Sequence, residues 1–154
     1  MSNILFINTS PRKNQNTYSI GKDVLKNIPH DELQLSDYKI SQYGQVYEDD
    51  QINEVLDIIK NYDTLLIGSP VYWYSVGGLL KTFIDRLYML PKAENLKGKK
   101  LYFFAQGSAP DKGTEETITF LITRLAKLTG MNLKKSVVDN SSASKIKKEL
   151  IIEK

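Results

Sequence analysis

The chain contains no cysteine. That excludes disulfides, thiolate metal sites, iron–sulfur clusters and a cysteine nucleophile, and it suits a reducing compartment. Histidine occurs once, as His30. It follows Pro29 in a polar turn and reads as a surface residue rather than a proton relay. Asp49-Asp50 reads as a helix cap, because no partner ligands stand at metal-binding spacing, so no metal is expected. No apolar run nears the ~18 residues of a membrane span. Met1-Ser2-Asn3 leads straight into a short apolar segment, without the charged region or cleavage site of a secretory signal. The expectation is a cytoplasmic protein without a membrane partner. Acidic residues are missing before Asp23, whereas Arg12, Lys13 and Lys22 precede it, so the first twenty residues suit an anion. The net charge is only +3. Lysines at 97–100 and 145–148 lack interleaved aromatics and read as solvated faces, not as a nucleic-acid patch.

What is present is a regular alternation. The 154 residues suit one domain spanning 1–154. Apolar strands are expected at 4–7, 64–68, 100–105 and 132–138, with a shorter alternating strand at 32–37. Helices are expected from Asn16 or Thr17 to about Asn27, after Asp49 or Asp50, over 76–90, from a Thr114 cap to Gly130, and over 145–152. The third carries Val76, Leu79, Leu80, Phe83, Ile84 and Leu87 at the spacing of one buried helical face. Strands alternating with helices predict a parallel sheet covered on both faces. Right-handed crossovers and five strands predict an α/β fold, a flavodoxin-like three-layer sandwich with sheet order 2-1-3-4-5.

In that order the loops after strands one, three and four share the carboxyl edge, where open α/β sheets bind ligands. All three have unusual sequences. The first contains Ser10, Arg12, Lys13, Asn16 and Thr17 and runs into a helix N-terminus, a natural anion site. It has no Gly-Lys-Ser/Thr, and no Gly-x-Gly-x-x-Gly follows the strand, so it is neither a P-loop nor a Rossmann fingerprint. The second holds Pro70, Val71, Tyr72, Trp73 and Tyr74 before Gly77-Gly78. Such aromatics suit a flat heteroaromatic ligand. They cannot all point the same way, and Tyr74 is left between the substrate face and a neighbouring subunit. The third, with Gln106, Gly107 and Ser108, offers small residues and backbone amides. Phosphate on one loop, a flat ring on the next and polar contacts on the third describe a phosphorylated flavin.

Three motifs carry a resemblance. They are Ser10-Pro11-Arg12-Lys13-x-x-Asn16-Thr17, Gly68-Ser69-Pro70-Val71-Tyr72-Trp73 and Gly78-x-Leu80-Lys81-x-Phe83-Ile84-Asp85-Arg86. Over roughly residues 3–130 the chain resembles the NADPH-dependent FMN reductase and flavodoxin-2-like families, especially the iron–sulfur flavoprotein branch. The resemblance implies FMN as cofactor, held by Ser10, Arg12, Lys13, Asn16 and Thr17 at the phosphate. Pro70, Val71, Tyr72 and Trp73 would line the isoalloxazine, with Gln106, Gly107 and Ser108 at its polar edge. It implies NAD(P)H as co-substrate, a small-molecule acceptor (a quinone, an azo or nitro compound, or free flavin) and a homodimer or homotetramer. Cluster-bearing relatives carry cysteines between the second strand and second helix. Residues 38–47 here have none, so the cluster is absent. The short last helix implies a less well covered fifth strand.

The expected function is an FMN-dependent NAD(P)H oxidoreductase whose chemistry lies in the flavin, so no catalytic side chain is required. The alternative is a flavodoxin-type single-electron carrier, although the basic first loop departs from the acidic surround of such carriers. A receiver-type signalling domain would need an acidic cluster where Asn8-Thr9-Ser10 and Gly68-Ser69-Pro70 stand. Lys81 and Asp85 read as an i,i+4 pair, and Asp85 and Arg86 as structural.

Overall fold

The computed structural model describes residues 3–108, 110–139 and 142–153. Met1 and Ser2, on which the leader argument partly rested, lie outside them. Five strands form a parallel sheet: β1 Ile4–Asn8, β2 Asp31–Gln34, β3 Thr64–Tyr72, β5 Lys100–Gln106 and β6 Asn132–Val138. Their order, β2-β1-β3-β5-β6, is the expected one. The sixth strand, β4 Ser75–Val76, is a two-residue antiparallel partner of β3 and lies off this path.

The period of two along each strand divides the core. Ile4, Phe6, Leu66, Tyr102, Phe104 and Val137 face helices α1 Asn16–Val24 and α5 Ser142–Ile152. Leu5, Ile7, Leu65, Ile67, Leu101 and Phe103 face α2 Ile52–Ile59, α3 Gly78–Arg86 and α4 Lys112–Thr129. Both faces are apolar because both are covered, which is why the central strands read as continuous hydrophobic runs. Each such side chain removed from water contributes roughly 1.5–3 kcal/mol. Ile146 and Leu150 of α5 are buried in the first of these cores, yet only Val137 and Val138 of the last strand are buried, so it is less well covered than the central strands, as the short helix implied. Among the described residues no helix is long and apolar enough to cross a membrane.

Several boundaries differ from expectation. The third strand runs on through Pro70 to Tyr72. Gly68 O accepts from Thr9 N at 3.0 Å, so its backbone polar groups face β1. Pro70, two residues on, faces the same side, but β1 pairs only as far as Asn8 opposite Gly68, so the missing N–H breaks no ladder bond. The third helix is shorter than 76–90, because Val76 pairs with Val71 in the hairpin and Met89 turns left-handed at φ 52°. Likewise α1 ends at Val24, just before Asn27 at φ 66°. The second strand stops at Gln34, and Leu35–Asp37 coil into a 3-10 turn that buries Leu35. The cap of α4 is Asp111, not Thr114: Asp111 Oδ1 accepts from Thr114 N at 2.7 Å. Gly130, at φ 74°, ends that helix as expected.

Two readings of charged residues are corrected. Lys99 is buried, not solvated; its ammonium donates to Lys60 O at 3.2 Å and to Tyr62 O, closing the C-terminal end of α2. Burial lowers its pKa. His30 is half-buried, with Nδ1 2.7 Å from Ile28 O and Nε2 3.2 Å from Lys22 Nζ.

Candidate functional site

The first loop is held from below. Asn8 Nδ2 donates to Gln34 Oε1 at 2.7 Å, and Gln34 Nε2 donates to Ser10 O at 2.8 Å. Asn8 Oδ1 accepts from Ser10 N at 3.1 Å, and the buried Ser10 accepts through Oγ from Arg12 N at 3.2 Å. The loop therefore leaves β1 in one defined direction and delivers the chain to α1. That helix starts after Gln15, whose side chain makes no capping bond. The first-turn N–H groups of a helix have no intrahelical acceptor. Here no capping side chain takes them, and they open toward Ser10, Arg12, Asn16 and Thr17. The positive end of the helix dipole and neutral donors converge, as an anion requires.

The second wall is a hairpin rather than a loop. Val71 pairs with Val76 and Tyr72 with Ser75, leaving Trp73-Tyr74 as a two-residue turn. Both turn residues have positive φ, 46° and 65°, the sign a type I′ hairpin demands. The hairpin's root is fixed by the buried Ser69, whose Oγ accepts from Gly77 N at 3.0 Å and donates to Pro70 O at 2.8 Å. Gly77 N would otherwise be an orphan at the start of α3.

The third loop joins the other two. Gln106 Nε2 lies 3.5 Å from Thr17 Oγ1, spanning to α1. A Cβ on Gly107 would stand 3.0 Å from Val71 Cβ, so glycine lets this backbone close against the hairpin. Ser108 is exposed at the rim, and Ala109, part of the expected loop, lies outside the described residues.

Between these walls lies a cleft of about 540 Å³, within the roughly 300–1,000 Å³ of small-molecule sites. It collects Ser10, Arg12, Asn16 and Thr17 from the first loop, Pro70, Val71 and Tyr72 from β3, and Gln106, Gly107 and Ser108 from the third loop. Two expected residues stand outside its lining. Lys13 pairs with Asp37 beside a separate small recess, and Trp73 projects into solvent, 92% exposed. Four unexpected residues join: Gln15, Ser19, Ile20 and Asp23. The last three continue from Asn16 at the i+3, i+4 and i+7 steps of one helical face, so a helical projection of α1 would have found them. Asp23 brings an acidic group to the far end of a cleft whose near end is cationic.

A larger groove, about 810 Å³, lies elsewhere. Its lining is mostly apolar and comes from the end of α3, the 3-10 turn Pro91–Leu96 and the second half of α4. Pro70 of the cleft wall lies against Gly77, just before α3, so this groove sits toward the opposite end of that helix. Asp85, Glu94, Lys97 and Arg124 add charges of both signs to this lining.

A family model described as NADPH-dependent FMN reductase matches residues 2–141. An iron–sulfur flavoprotein of Clostridioides difficile is 28% identical, over 71% of this chain and 62% of that protein. The chain spans between 47% and 62% of the first curated relatives it matches. Among solved structures, the Trp repressor binding protein of Bacillus subtilis superposes with a TM-score of 0.76 at 21% identity, over 94% of this chain and 97% of that one. An NADH:FMN oxidoreductase in its apo form gives 0.73 at 22% identity, over 99% and 88%. At such identity these structures speak to the fold alone.

Proposed function

The chain belongs to the NADPH-dependent FMN reductase family, and from that premise we propose that it is an FMN-dependent NAD(P)H oxidoreductase. The observation that carries the reading is one cleft with an uncapped helix N-terminus at one end and a rigid apolar wall at the other. A flavin phosphate fits the first and its flat ring the second.

Ser10, Asn16 and Thr17 would hold the phosphate with the first N–H groups of α1, and Arg12, which has no ion pair among the described residues, would neutralise it. Pro70, Val71 and Tyr72 would support the ring, and Gln106, Gly107 and Ser108 would meet its polar edge. Ser69 anchors the root of that wall and Gly107 lets the third loop close against it. FMN held there would supply the two-electron chemistry of an NAD(P)H oxidoreductase, with a quinone, an azo or nitro compound or free flavin as acceptor. The chain's own part is to bind, orient and exclude water. We place the contact between copies of a homodimer on the apolar α3–α4 groove, whose rim carries both signs of charge.

The test is the visible spectrum of purified protein reconstituted with FMN or with riboflavin, then mixed with NADPH or NADH without oxygen. The expected outcome is FMN bound at least tenfold more tightly than riboflavin, with flavin absorbance bleached by a nicotinamide. Protein that binds no FMN overturns the reading. FMN that binds but is not reduced points instead to a carrier.

A further inference from the structure

We infer that the Trp73-Tyr74 hairpin tip is a docking platform for a planar aromatic electron acceptor at the cleft's mouth. The inference rests on the flavin reading above. Its basis is a conflict between backbone and side chains. Consecutive left-handed residues in a two-residue hairpin turn call for Asn-Gly or Asp-Gly, because a Cβ is strained there. This chain instead places its bulkiest side chain at φ 46° and a tyrosine at φ 65°. The other left-handed residues besides glycine, Asn27 and Met89, are single and follow helices. Strain of this kind persists where the structure has a use for it.

Packing offers no use. Trp73 is 92% and Tyr74 67% exposed, and neither ring stacks on another aromatic among the described residues. The turn itself would form more readily without them. Position does offer one. Tyr72, which lines the cleft, is the residue immediately before the tip. Only two pairs separate the tip from a root clamped by Ser69 and Gly77, so the tip cannot swing far from the mouth. The indole and phenol are therefore exposed one and two residues beyond a cleft-lining side chain. They offer wide apolar faces and no formal charge, which favours a flat conjugated ring over an inorganic or bulky acceptor. Tyr74 is thereby assigned to the substrate side.

Trp73 is the chain's single tryptophan, so its emission reports on the tip alone. FMN-loaded protein is titrated with 1,4-naphthoquinone-2-sulfonate while emission intensity and lifetime are both followed. Saturable loss of intensity at constant lifetime, the mark of a complex at the indole, is expected. Intensity and lifetime falling in proportion, which is collision alone, overturns the inference. Emission that responds to protein concentration and not to quinone also overturns it, assigning the tip to a contact between copies. In the second arm the pair Trp73→Asn with Tyr74→Gly installs the favoured turn. Its Tm is expected to rise while the ratio of KM for the quinone to KM for ferricyanide increases at least fivefold; an unchanged ratio overturns the platform. Failure of FMN to bind or be reduced counts against the oxidoreductase reading, and the tryptophan titration of flavin-free protein still tests the tip.

Discussion

Gly21 lies on the inner face of α1, directly over the Phe6 ring. A Cβ there would stand 2.0 Å from Cζ. The ring cannot retreat, because it is fully buried and stacked between Tyr18 and Phe104, with centroids 6.3 and 6.4 Å away. Alanine normally gains close to 1 kcal/mol over glycine inside a helix. Here overpacking of about 1–3 kcal/mol opposes it, so Gly21→Ala is expected to lower Tm. At Gly78, the first residue of α3, an added Cβ meets nothing within 4 Å, and Gly78→Ala is expected to leave Tm unchanged or raise it slightly. Thermal denaturation of the two variants side by side checks the contrast; equal shifts would contradict it. At this scale the sequence was informative about residue type and less so about direction. Ser10, Thr17 and Tyr72 were readable as lining one cleft because their loops were. Lys13 and Trp73 sit in the same loops and point elsewhere, one toward Asp37 and one into solvent. Lys99 hides among surface lysines, since nothing local tells that the end of α2 will sit beside it.

Asp50 and Arg86 show how elements, rather than residues, are tied. Arg86, on the last turn of α3, donates to Asp50 through Nη1 at 2.5 Å and Nη2 at 3.2 Å, and to Ser41 O at 2.9 Å. Asp50 also accepts from Ser41 N at 2.8 Å and from Ile52 N at 3.0 Å, at the start of α2. One carboxylate thus pins the 38–51 connection, the start of α2 and the end of α3. Burial pushes its pKa up, but the guanidinium and the two backbone N–H groups outweigh it and hold the carboxyl well below its usual 3.8. A depressed folded-state pKa contributes stability that is fully present above the unfolded value and lost as pH falls toward the folded one. Asp50→Asn is therefore expected to cost about 2–4 kcal/mol at neutral pH, since the guanidinium is left mostly buried without its partner. The gap from wild type should narrow progressively below pH 3.8. Urea midpoints at several pH values measure this, and a gap independent of pH would argue against the pair. Both residues were legible as structural, Arg86 as a tie and Asp50 at the start of α2, although the N-cap position itself is Gln51 and Asp50 stands one residue before it, accepting from Ile52 N. Their partnership was not, because it spans 36 positions and depends on how a polar connection folds back over α3. The hairpin was missed for a related reason: Trp-Tyr carries no turn signal, so periodicity handed Val76 to the helix.

At the level of the whole molecule, the alternation of strands and helices sufficed for the sheet order, and the sheet order brought three odd loops to one edge. That made most of the cleft readable from the sequence. The exterior was less readable, because a partner-facing helix and a core-facing helix share the same apolar period. The outer stripe of α4 shows this. Phe120, Arg124 and Leu128 follow one another at i+4, and Leu128 is 75% exposed beside the equally bare Met89, at 83%. Between them opens the apolar groove. Knobs and hole on one face suit a two-fold dimer, in which the same patch meets itself and must contain both halves of every complementary contact. The charges obey the same demand: Glu94, Lys97 and Arg124 border the groove, and none has an ion pair among the described residues. A stable interface buries on the order of 1,200–2,000 Å², more than the groove alone and within reach if both helices join. Wild-type protein is therefore expected to sediment as a dimer at micromolar concentration, and Leu128→Glu combined with Phe120→Glu as a monomer. Because the cleft lies at the other end of α3, the monomeric variant should bind FMN as tightly as wild type. Wild-type protein that sediments as a monomer would remove the groove's role, and a dimer indifferent to both glutamates would move the interface to another face.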